Sequence, residues 1–95
     1  MVNIKVEKDS ITIKGHANYD DFGKDIVCAS VSSIAITTIN AIKRFDNDSL
    51  TYEEKDGYLK IIIQKHTKEL DILITNMLEL FKELELQYKK NIKIN

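Results

Sequence analysis

The chain holds one cysteine, Cys28, in the run Asp25-Ile26-Val27-Cys28-Ala29. That placement carries chemistry if a helix begins there. Asp25 is then the N-cap and Cys28 the third helical residue, where unpaired backbone N–H groups and the positive end of the helix dipole favour a thiolate. The Asp25 carboxylate is placed to accept the Cys28 N–H, which fixes the turn that presents the sulfur. Its negative charge opposes the thiolate, so a cationic neighbour is needed, and an imidazolium is the natural one. His16, directly after Gly15, is the candidate. The pair would form a nucleophile and its proton partner, with first-turn N–H groups open to the oxyanion of a tetrahedral intermediate.

Spacing alone leaves simpler roles open. A lone cysteine flanked by Ile26, Val27 and Ala29 is more often a small buried hydrophobe, and His16 also suits a surface loop. Ser32 follows Cys28 by one helical turn and shares its face. Its hydroxyl either reaches the sulfur or substrate, or bonds back to the preceding turn while Ala29, Ser30, Ser32 and Ser33 let another helix come close. His66 has no thiol near it in sequence and reads as solvent-facing or capping. The thiol and the two histidines match no zinc spacing, so neither a metal nor another cofactor is expected.

The surrounding pattern says what positions these groups. Val2, Ile4 and Val6 alternate with polar residues, as do Ile11 and Ile13 after Glu7-Lys8-Asp9-Ser10, which predicts two strands and a tight turn. Gly15 and Gly23 bracket a polar and aromatic loop, long for so small a domain and a place where function concentrates. Val27, Val31, Ile34, Ala35, Ile42 and Phe45 recur at helical intervals and predict a helix from about Asp25 to about Asn47. Leu50 and Tyr52, then Tyr58 to Ile63, flank Asp56-Gly57 as a hairpin. Leu70, Leu73, Ile74, Met77, Phe81, Leu84 and Tyr88 predict a second, amphipathic helix running to the C-terminus. The order ββαββα predicts one α+β domain over residues 1–95, with two helices on a mainly antiparallel four-stranded sheet. The run Ile61-Ile62-Ile63 implies cover on both sheet faces, from helices on opposite sides or from a partner subunit.

Composition narrows the function classes. With 95 residues the chain supports one thin core, which favours a shallow groove or one completed by a second copy. Fourteen basic residues against 15 acidic ones, with no basic block, disfavour direct nucleic-acid binding. The start Met1-Val2-Asn3-Ile4-Lys5 reads as no targeting peptide, and no apolar run is read as a membrane span, so a cytoplasmic protein is expected.

Taken together, Gly15-His16-Ala17, Tyr19, Gly23, Asp25 to Ala29 and Val31-Ser32, with Asn40 as a further echo, resemble the ribosomal-processing cysteine protease family known as Prp. Ser30 stands where alanine is usual there, and Asp20-Asp21-Phe22 fall in that family's variable loop. The resemblance implies an endopeptidase that removes an N-terminal extension from large ribosomal subunit protein twenty-seven. It also implies a homodimer, Cys28 and His16 as the catalytic pair, and Gly15, Asp25 and Ser32 as their support. The intervening loop would act as a mobile lid, with Tyr19, Phe22 and Gly23 shaping a pocket for apolar and aromatic residues before the cut. Two other readings are a non-catalytic ribosome-associated interaction module with a structural cysteine, and a redox sensor that pairs Cys28 with a thiol of another chain.

Overall fold

The structure, a computed structural model, describes residues 1–21 and 25–95. Strands β1 (Val2–Val6) and β2 (Ser10–Lys14) pair antiparallel with Ile4 opposite Ile13 and Val6 opposite Ile11. The Asp-Gly signal marks a real hairpin: β3 (Leu50–Lys55) and β4 (Tyr58–Ile63) pair from Lys55 opposite Tyr58 onward, and Gly57 adopts φ +64° in the connecting turn. β4 also pairs antiparallel with β2, setting Ile11 opposite Ile61.

Helix α1 (Ile26–Phe45) begins at the Asp25 N-cap and ends where the Asp46 N–H reaches the Ile42 carbonyl. Helix α2 (Lys68–Gln87) is capped by Thr67 and stops at Tyr88, short of the C-terminus. The chain then turns through Lys89 and Lys90 into a further strand, β5 (Ile92–Ile94), which lies parallel to β1 with Val2 opposite Ile92. The expected four-stranded antiparallel sheet in ββαββα order is therefore corrected. Among the described residues the sheet is mixed and five-stranded, in the order β3-β4-β2-β1-β5. The physical reason is that Ile92 is almost wholly buried and Val2 offers it an open strand edge.

Alternation places Val2, Ile4, Ile11, Ile13, Leu59, Ile61, Ile63 and Leu50 in one core with Val27, Val31, Ala35, Ile39 and Ile42 of α1. Leu70, Ile74, Met77 and Phe81 of α2 complete it, each such burial being worth roughly 1.5–3 kcal/mol. Both helices thus cover the same sheet face, rather than opposite ones. Ile62 points the other way and is only partly covered, flanked across the strands by Ser10 and Thr51. By length and composition α1 would also pass as a membrane span, a candidate that the sequence reading passed over. In the fold it is the core helix, with six residues turned onto the sheet and α2.

Candidate active site

Asp25 organises the site. Its Oδ1 accepts the N–H groups of Val27 and Cys28, both at 3.0 Å, as the sequence predicts for an N-cap. Its Oδ2 accepts the N–H of Tyr19 at 3.0 Å and of Asp20 at 3.4 Å. One carboxylate therefore ties the helix start to the segment after His16. Partial desolvation works to raise the Asp25 carboxyl, but the four N–H groups, that of Cys28 foremost, outweigh it and hold the group below its ordinary value.

This capping has a chemical cost. The Val27 and Cys28 N–H groups face the Asp25 side chain, and the Ala29 N–H faces the Asp25 carbonyl at 3.1 Å. These three first-turn donors are already engaged. A different donor faces the sulfur: the Ala17 N–H lies 3.1 Å from Cys28 Sγ. Cys28 itself is half-buried at the edge of the core, not sealed within it.

Gly15 ends β2 at φ +98°, and a Cβ there would collide with the Met1 carbonyl, so the residue before His16 has to be glycine. Its N–H donates to the Gly57 carbonyl at 2.8 Å, which brings the β3–β4 turn against the next residue. His16 Nε2 accordingly lies 3.8 Å from Asp56 Oδ2. Among the described residues no hydrogen bond joins His16 to Cys28. Both side chains open onto the same cleft.

That cleft, of about 440 Å³, runs between α1 and the β3–β4 hairpin and is walled by Val31, Ala35, Ile36, Tyr58 and Leu59. A second depression of about 500 Å³ carries Asn18, Asp20, Asp25 and Ala29. Cys28, His16, Ser32 and Asp56 border both. Ser30 and Thr38 bond back to the carbonyls of Ile26 and Ile34, each at 2.7 Å, whereas Ser32 makes no such bond and is exposed on the cleft.

The other expected residues are distributed differently. Tyr19 lies edge-on against Tyr88, ring centroids 5.3 Å apart, and does not line either depression. Phe22 and Gly23 lie outside the described residues. Asn40 is exposed farther along α1. His66 bridges Asp71 and Asp9 at 2.8 Å each, near the start of α2. Sequence reasoning missed Asp56, whose only signal was its turn, and Asn91, whose side-chain amide donates to the Ala17 carbonyl at 2.8 Å.

Comparison with known proteins identifies the family. Residues 1–93 match the family described as cysteine protease Prp. The ribosomal processing cysteine protease Prp of Staphylococcus aureus is 27% identical, over 99% of this chain and 92% of its own length. A crystal structure of that essential protease from S. aureus with a covalently linked product peptide superposes with a TM-score of 0.87 at 27% identity, covering 99% of this chain and 95% of the other. One with a substrate peptide gives 0.81 at 26% identity over the same shares. The chain therefore belongs to the Prp family of cysteine proteases.

Proposed function

We propose that this protease matures a ribosomal protein, removing the N-terminal extension of large ribosomal subunit protein twenty-seven with Cys28 as nucleophile and His16 as its proton partner. The observation that carries the reading is the meeting of two depressions at Cys28 and His16. A peptide protease needs substrate on both sides of the attacked carbonyl, and this border gives it. The apolar walls of Val31, Ala35, Ile36 and Leu59 suit apolar or aromatic residues before the cut.

In this mechanism the Cys28 thiolate attacks the scissile carbonyl. The Ala17 N–H, which faces the sulfur, and the Ser32 hydroxyl on the same cleft donate to the developing oxyanion. The His16 imidazolium gives its proton to the leaving amine, and water then hydrolyses the thioester. Asp25 caps and clasps, leaving Asp56 as the carboxylate beside His16. The protein works in the cytoplasm as a homodimer, for which the large apolar side chains of Ile26, Ile72 and Leu86 at the helix surfaces are the available cover.

Incubation with the unprocessed ribosomal protein of its own source, read by mass spectrometry, tests the reading. The extension should be released at one bond, and Cys28→Ala should abolish release. An uncut precursor would overturn the substrate; cleavage by Cys28→Ala would overturn the nucleophile. Light scattering on the purified protein should give twice the chain mass, and a monomer would exclude the homodimer.

A further inference from the structure

The C-terminal turn reaches the cysteine site by two contacts. Asn91 donates its side-chain amide to the Ala17 carbonyl at 2.8 Å, and Tyr88 stands edge-on to Tyr19. Asn91 is itself fixed, because its N–H donates to the Tyr88 carbonyl at 2.9 Å and its carbonyl accepts the Val2 N–H at 2.8 Å. The anchor is therefore the first backbone bond of the β1–β5 pairing, rigid and partly buried.

Ala17 is held at three points. Its methyl is buried, its carbonyl is held by Asn91, and its N–H points at Cys28 Sγ. Asn18 follows at φ +57°, a left-handed conformation that asparagine tolerates better than most non-glycine residues and that turns the chain directly after Ala17. The direction of the Ala17 N–H is thus set by contacts from outside its own loop: Asn91 holds the Ala17 carbonyl, and Asp25 clasps the Tyr19 and Asp20 N–H groups that follow.

We propose that Asn91 is a positioning residue for the cysteine centre: through the Ala17 carbonyl it keeps the Ala17 N–H aimed at Cys28 Sγ. The N–H then stabilises negative charge on the sulfur before attack and on the oxyanion afterwards. This rests on Cys28 being the nucleophile. Asn91 lines neither depression and does not contact the sulfur, so its loss lowers turnover rather than substrate binding.

Three variants test it: Asn91→Asp, which keeps the shape and removes the donor, Asn91→Ala, and Asn91→Gln, which keeps a donor on a longer stem. Each is read for kcat and KM on the precursor peptide and for the rate of Cys28 alkylation by iodoacetamide at neutral pH. Asn91→Asp and Asn91→Ala should lose kcat by about tenfold with KM within about twofold, and should alkylate several-fold more slowly. Asn91→Gln should recover part of both rates. If Asn91→Asp unfolds, the comparison of Asn91→Ala with Asn91→Gln decides. Unchanged kcat and alkylation in a folded variant without the donor would overturn the role, as would Asn91→Gln being no faster than Asn91→Ala. An inactive Cys28→Ala alongside a fully active Asn91→Ala would defeat Asn91 alone, whereas an active Cys28→Ala would defeat the nucleophile.

Discussion

The imidazole of His16 rests directly on Gly57, so closely that a Cβ at position 57 would lie 2.9 Å from Nε2. The β3–β4 turn is thus a platform for the proton partner as well as a connection between strands. Gly57 also adopts φ +64°, where an L side chain costs roughly 1–2 kcal/mol. Gly57→Ala should therefore lower stability by about that amount and push His16 from its place, reducing cleavage beyond what the stability loss explains. Thermal melting and peptide turnover measured together would show it. Full turnover would mean that His16 does not need the platform.

Asp25 should separate into two functions. Asp25→Ala removes the cap and the loop clasp, costing about 0.5–2 kcal/mol with a large loss of activity. Asp25→Asn keeps one acceptor oxygen, so stability should suffer less than in Asp25→Ala while turnover still falls. Because the folded carboxyl titrates below its ordinary 3.8, its stabilising contribution is complete above that value and is lost as pH falls through the folded one. Acid unfolding should consequently be less steep in Asp25→Asn than in the unaltered protein.

His66 gives the opposite sign. Hydrogen bonds to Asp71 first and to Asp9 second raise it above its ordinary 6.5, since both ring nitrogens can donate only in the imidazolium. Its contribution is fully present below 6.5 and disappears as pH rises through the folded value. The melting temperatures of the unaltered protein and of His66→Ala should therefore differ more at pH 5.5 than at pH 8.5. His66 lines neither depression, so peptide turnover in His66→Ala should be retained.

The buried end of β5 makes a further expectation. Ile92→Ala removes a side chain that is 1% exposed and should cost about 2–5 kcal/mol, a sizeable part of a small domain's stability. Urea denaturation would measure it, and a loss under about 1 kcal/mol would mean that β5 is only loosely held.

Local pattern made much of this site readable. The Asp25 cap, the place of Cys28 in the first turn and the Asp56-Gly57 turn each depend on residues within a few positions of one another. The rest depends on distant partners. Ile92-Lys93-Ile94 is too short a run to declare a strand until Val2 is beside it. Tyr88 continues the helical spacing of α2 yet packs on Tyr19, and nothing near Asn91 in sequence points to Ala17. Three helix-start N–H groups are engaged for a local reason, since the Asp25 side chain accepts two of them and its carbonyl the third.

Whether the sulfur at position 28 forms the covalent bond is tested most directly by acid-quenching the reaction with the precursor and weighing the intact protein. A thioester adduct carrying the mass of the released extension should appear, map to the fragment holding Cys28, and be missing from Cys28→Ala, which should also cut nothing. Continued cleavage by Cys28→Ala, or an adduct mapping elsewhere, would contradict the assignment.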